Sequence, residues 1–200
     1  MNTPDILRIV KEDVLRILGE ERGNSVSLTS LKSEIKVSSV FLKQSIEELE
    51  KEGLIQSKKE LIVLTKRGQE NASDIVEKHV SIENYFKEVR SEDEAHKAAH
   101  VLEHYVSQEV IDNIKKLSTF RKEGIPLTEF DINDEGIITN IAFFDFTLFE
   151  RIVSMGIFPG EKVRVTNVIP GSVVVRIGNK KFALSREIAE GIEVLANGKT

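Results

Sequence analysis

Apolar side chains at Ile6, Ile9, Val10, Val14, Ile17 and Leu18 recur every three to four residues through 4–21. This is the spacing of an amphipathic helix, which should stop near Gly23. The stretch SLTSLKSEI predicts a short helix capped by Thr29, KVSS a turn, and SVFLKQSIEELEKEG a longer helix ending at Gly53. Three helices of these lengths suggest a helix-turn-helix. Next, LIQSKKELIVLT holds two short β-prone runs, 54–56 and 61–64, hinged at a lysine-rich tip, which reads as a small hairpin or wing.

Helical periodicity returns in TKRGQENASDIVEKHVSIENYFKEVR. It continues in SEDEAHKAAHVLEHYVSQEVIDNIKKLS, read as one long helix starting at Ser91 with Glu94 closing a capping box. In TFRKEGIPL, Gly124 and Pro126 break the pattern and mark a linker over 119–126. Beyond it, GIITNIAFF, EKVRVTNV, SVVVRIG and KKFAL are β-like runs separated by Gly, Pro and Asn, with one short helix at FTLFERIVSMG. The pattern predicts a multidomain α+β chain: a helix-turn-helix with a wing at 1–70, a helical domain at 71–118 and a small β domain at 127–197.

Composition narrows the chemistry. At 40% hydrophobic and 30% charged residues the chain is an ordinary globular one, and it has no cysteine. Disulfides, thiolate nucleophiles and thiolate metal sites are therefore excluded, leaving imidazole and carboxylate as metal ligands. No apolar run is long enough to span a membrane and no signal peptide is evident, so a cytoplasmic protein without a membrane partner is expected. The net charge is −5, yet residues 1–70 balance twelve Lys and Arg against twelve Asp and Glu. The N-terminal third is the better place for an acidic partner.

Three of the four histidines, His96, His100 and His104, stand four residues apart, with Glu103 between the last two. On one helix each step drifts only about 40°, so the three would share a stripe. His79 and Glu83 share a face of the preceding helix, and antiparallel packing would bring four imidazoles and two carboxylates together. Such a set suits Fe(II), Mn(II), Zn(II), Co(II) or Ni(II). The plainer alternative, solvated surface histidines, fits one such residue better than four clustered with glutamates. HVLEH at 100–104 also matches the H-x-x-E-H pattern of inverted zinc metallopeptidases, in which Glu103 would activate water. Those enzymes need a further glutamate downstream, where VVVRIGNKK offers none.

If residues 28–53 form a helix-turn-helix, the start of its second helix faces base edges. Ser38, Ser39, Lys43 and Gln44 stand there, while Lys58 and Lys59 at the hairpin tip can hold backbone phosphates. An ordinary three-helix packing unit with a solvated lysine turn is the competing reading.

In this order the parts resemble the metal-dependent repressors that include the diphtheria toxin repressor and the manganese transport regulator. The resemblance lies in EELEKEGLI, LTKRGQENA, KHVSIENYF and DEAHKAAHVLEHYVSQEV, the last similar to that family's His-x3-Cys/Glu-x2-Glu-His ligand helix. RIVSMGIFPGEKVRV and KKFALSREIAEGIEV resemble the SH3-like FeoA-type domain, a small β-barrel, that closes its longer members. The resemblance implies two neighbouring metal sites. Asp13 falls at an N-terminal ligand position, His100 at the Cys or Glu position, and Glu103 and His104 on the Glu-His pair. His79, Glu83 and His96 match the adjoining site. Three departures stand out: His100 replaces a thiolate or carboxylate, Arg16 stands where manganese regulators place a second glutamate, and GIITNIAFFDF lacks the Glu and Gln that iron-type members donate. The implied protein is not an enzyme but a homodimeric repressor that binds operator DNA when loaded with a divalent cation, Fe(II) first and Mn(II) next. Its dimer interface is expected on helices 66–118, whose apolar residues outnumber what one small core needs. A metal-binding adaptor without sequence-specific DNA binding is the alternative from another class.

Overall fold

The computed structural model describes residues 6–117, 124–142 and 145–196. The chain divides within one helix into two compact units, Asn2–Val80 and Ser81–Thr200, each with its own core.

In the N-terminal unit, α1 (Ile6–Glu20) buries Val10, Val14, Ile17 and Leu18 of the predicted stripe and Leu15 beside them, whereas Ile9 is half-buried and Ile6, at the helix start, is exposed. Strand β1 (Ser25–Ser27) leads into α2 (Leu28–Glu34), and α3 (Ser39–Lys51) follows after a short turn. The cap of α2 is Ser27, whose hydroxyl accepts from Ser30 N at 3.0 Å, and not Thr29 as the sequence suggested. Ser27 ends a strand in extended backbone, where an N-cap must sit, whereas Thr29 already lies inside the helix. The hairpin pairs β2 (Ile55–Lys58) with β3 (Leu61–Leu64), and β1 adds a third strand on the far side of β3. At its tip Lys59 takes φ +60°, a left-handed conformation more easily held by Gly or Asn. Gly68 opens α4 (Lys66–Lys87) against the chain entering β2, where a Cβ would fall 1.8 Å from the Leu54 carbonyl oxygen.

The C-terminal unit begins in the second half of α4. Instead of one helix over 91–118 there are two, α5 (Glu92–Leu102) and α6 (Gln108–Leu117). The capping box of Ser91 and Glu94 is formed as expected. The break at 103–107 is hidden from periodicity because Leu102, Val106, Val110 and Ile114 keep four-residue spacing across it and all are buried. Ser107 restarts the chain by accepting from Val110 N at 3.4 Å. Part of the expected linker, residues 119–123, lies outside the described residues, and its end is not linker at all: Ile125–Pro126 form strand β4.

The β domain is a six-stranded antiparallel sheet in the order β4-β9-β5-β6-β7-β8, comprising β5 (Glu135–Ile141), β6 (Lys162–Ile169), β7 (Ser172–Ile177), β8 (Lys180–Ser185) and β9 (Ile192–Ala196). Among the described residues no pair joins β4 to β8, so they do not show the closure of the SH3-like barrel expected. The anticipated helix is α7 (Phe146–Ser154); a second, α8 (Arg186–Glu190), precedes β9. Alternation along β7 buries Val173, Val175 and Ile177, the period-two pattern read in SVVVRIG.

Sheet and helices share one core. Phe149 of α7 meets Phe86 edge to face at 5.9 Å between ring centres. Arg90 lies over both rings, 5.8 Å from Phe86 and 5.1 Å from Phe149, and donates to the Ile141 carbonyl at 2.9 Å. The Tyr85 hydroxyl donates to the Thr139 carbonyl, and Asn113 donates to the Gly160 carbonyl at 2.9 Å. Gly160 has φ +87°, and a Cβ there would sit 2.8 Å from the Val110 carbonyl oxygen. Ile82, Tyr85, Phe86, Leu102, Val106, Val110 and Ile114 therefore find their cover within the chain itself. The surplus of apolar residues on these helices, offered above as the sign of a dimer interface, is consumed by the β domain.

Candidate metal centre

Helix α5 buries Ala95, Ala98, Ala99 and Leu102, spaced three and four apart, against the core. Three of these four are alanines, so the helix approaches closely and carries little bulk on that face. His96 and His100 are left on the other side, exposed and half-buried respectively. Glu83 reaches this face from α4.

The two imidazoles stand edge to face with centroids 4.5 Å apart, and their Nε2 atoms are 3.0 Å from each other. Each turns its other nitrogen to a carboxylate: His96 Nδ1 is 3.2 Å from Glu83 Oε2, and His100 Nδ1 is 3.3 Å from Glu103 Oε1. A carboxylate on Nδ1 fixes the tautomer that leaves Nε2 a free lone pair, the arrangement usual behind metal-bound histidines. Imidazole nitrogens with carboxylate oxygens beside them are a donor set that would suit a divalent first-row cation.

Glu103 is 3% exposed, and a carboxylate so buried needs positive partners. His104 supplies a second neighbour, Nε2 at 3.6 Å from the same oxygen as His100. Because α5 ends at Leu102, Glu103 and His104 lie in the turn that follows rather than within the helix. The turn nevertheless keeps Glu103 against both flanking imidazoles. Glu83 has a further partner that periodicity did not single out: Lys87, one turn along α4, at 2.7 Å. An i, i+4 acid–base pair was the available signal. The structure thus brings Glu83, His96, His100, Glu103 and His104 into one chain of contacts in the C-terminal unit. His79 lies in the N-terminal unit, buried on α4 one turn before Glu83, and Asp13 lies half-buried on α1.

The residues expected to face DNA, Ser38, Ser39, Lys43, Gln44, Lys58 and Lys59, are all exposed, at the start of α3 and at the hairpin tip. Sequence reasoning passed over Val40 and Phe41, which stand 72% and 36% exposed on the first turn of α3. Both are large apolar residues out of step with the buried Leu42, Ile46 and Leu49.

Among known proteins, residues 65–124 match the model described as iron dependent repressor, metal binding and dimerisation domain, and residues 125–196 match the FeoA domain. Solved structures that the chain resembles include a manganese-dependent transcriptional repressor in complex with manganese, 23% identical over 94% of this chain and all of that one, with a TM-score of 0.47. The T. acidophilum IdeR is 15% identical over 98% of this chain and all of that one, with a TM-score of 0.44. An iron uptake regulatory protein, FeoA, is 29% identical over 37% of this chain and 97% of that one, with a TM-score of 0.34. No curated protein matches the sequence. The two models meet between residues 124 and 125 and take in both the histidine helices and the β domain: residues 65–196 belong to the metal binding and FeoA domains of the metal-dependent repressors, a family whose members are transcriptional regulators and not enzymes.

Proposed function

We propose that this protein is a metal-activated transcriptional repressor that binds operator DNA as a homodimer when loaded with a divalent first-row cation, Fe(II) first and Mn(II) second. The observation that carries the reading is the pair of Nε2 atoms of His96 and His100, 3.0 Å apart and each backed by a carboxylate, within a stretch that matches a metal binding and dimerisation domain.

In this reading Asp13, His100, Glu103 and His104 would hold one cation, and His79, Glu83 and His96 a neighbouring one. Glu83 and Glu103 each place one carboxylate oxygen on an imidazole and have a second to turn toward a cation. When bound, the cation supplies a doubly positive centre that offsets these carboxylates. Residues 6–64 are read as a winged helix-turn-helix in which α3 enters a major groove, and the hairpin tip holds phosphates through Lys58 and Lys59. Coupling is a linkage: ligation stabilises the DNA-competent arrangement by as much as the site binds better in it than in the others. Asp13 is the ligand that ties the DNA-reading unit to the histidines, so it carries the coupling.

The test is retention of fragments from a genomic library at one fixed salt concentration, anaerobically, with EDTA or with Fe(II), Mn(II), Zn(II) or Co(II) in turn. Salt is held fixed because phosphate contacts make affinity steeply salt-dependent. Enrichment of a palindromic site only with metal is the expected result and ranks the cations. Stoichiometric metal binding with no enriched sequence would replace the repressor by a metal-binding adaptor.

A further inference from the structure

Between α2, α3 and the hairpin of the N-terminal unit lies a cavity of about 360 Å³, at the lower end of the volumes typical of small-molecule sites. Its floor is apolar: Leu28, Leu42, Ile46 and Ile62, three of them almost wholly buried. Its rim is charged, with Lys32, Lys43 and Lys59 set against Glu47 and Glu60. Lys43 and Glu47 sit 3.8 Å apart, and the remaining charged residues of the rim, Lys32, Lys59 and Glu60, sum to one net positive charge. Lys59, at the left-handed turn position of the hairpin, is among the residues of this rim.

We propose that this cavity binds a medium-chain carboxylate, its alkyl chain on Leu42, Ile46 and Ile62 and its head group among Lys32, Lys43 and Lys59. A phosphate alone would satisfy the lysines and leave the apolar floor wet. A neutral hydrocarbon would cover the floor and leave the excess positive charge without a counter-ion. A single negative charge on an apolar body meets both conditions, and the lysine stems extend the apolar wall around it. Ser39, Lys43 and Lys59 belong to this cavity and to the proposed DNA face alike, so ligand and DNA exclude each other. That consequence rests on α3 reading DNA; ligand binding itself does not.

The experiment is calorimetric titration of the full metal-free chain with hexanoate, octanoate and decanoate, each below its micelle concentration, with decanol, decylamine and inorganic phosphate as controls. Saturable binding of one carboxylate per chain is expected, tightening about fourfold for each added CH₂ until the cavity is full. Lys32→Glu and Lys59→Glu, both at exposed positions, should weaken decanoate severalfold and leave decanol unchanged. Absence of saturable binding, equal binding of decanol or decylamine, competition by phosphate, or indifference to both lysine substitutions would each overturn the site. Saturable decanoate binding that leaves metal-dependent DNA retention untouched would sustain the site and overturn α3 as the DNA-reading helix.

Discussion

His96 and His100 present the same chemistry through the same atom. Each gives Nδ1 to a carboxylate and turns Nε2 toward the other, and the two carboxylates come from different elements, Glu83 from α4 and Glu103 from the turn after α5. At the proposed metal site Glu83 would therefore act on affinity through His96, and removing its charge should cost less than removing the ring. Glu83→Gln is expected to weaken metal binding about 10- to 100-fold, the usual cost of losing a carboxylate behind a histidine ligand. His96→Ala, which deletes the donor, should cost more. Competition against a chelating indicator measures both, and equal losses would mean that Glu83 ligates directly. The histidine spacing made these residues legible as a cluster. It could not say which nitrogen each ring offers, since that depends on where a carboxylate from another element arrives.

Among the elements, the break between α5 and α6 shows how a correct pattern misleads. Leu102, Val106, Val110 and Ile114 keep helical spacing across 103–107, yet the chain turns there, with Tyr105 N and Val106 N both donating to the Leu102 carbonyl. Spacing reports which side chains reach the core, not whether the backbone between them stays helical. The turn has a use: it follows Glu103, the C-cap of α5, whose buried carboxylate meets both flanking imidazoles. On the other side of α6, the β domain closes onto the helices at Gly160. Gly160→Ala would strain a left-handed backbone and press a methyl group on the Val110 carbonyl, so a loss of about 1–3 kcal/mol is expected. Chemical denaturation of the full chain, followed by hydrogen exchange in α6 and β6, checks it; unchanged stability would mean that α6 readily yields at this contact.

For the molecule as a whole, the apolar residues of the histidine helices were expected to face a second copy, and the structure spends them on the chain's own sheet. Residues 65–124 match a metal binding and dimerisation domain, and these apolar residues are buried within the chain rather than exposed on it. The two units make a direct demand on the proposed mechanism, because a repressor needs metal binding in one unit to reach DNA binding in the other. Asp13→Ala should leave metal at the histidine site and cut the metal-induced gain in DNA affinity at least tenfold, measured as the ratio of affinities with metal and with EDTA. A ratio equal to the wild type's would rule out Asp13 as the link.

The amino-acid sequence by itself determined the elements whose evidence is local. The apolar stripe of α1, the capping box at Ser91, the alternation of β7 and the four-residue spacing of the histidines each lie within a few residues of chain, where backbone geometry translates pattern into form. Tertiary structure alone decided what depends on distant partners: that Ser27 caps α2 at the end of a strand, that Ile125 and Pro126 pair with β9, and that Tyr85 and Arg90 clamp the β domain through Thr139 and Ile141. Burial is a property of two surfaces, and one segment of chain carries the record of only one of them.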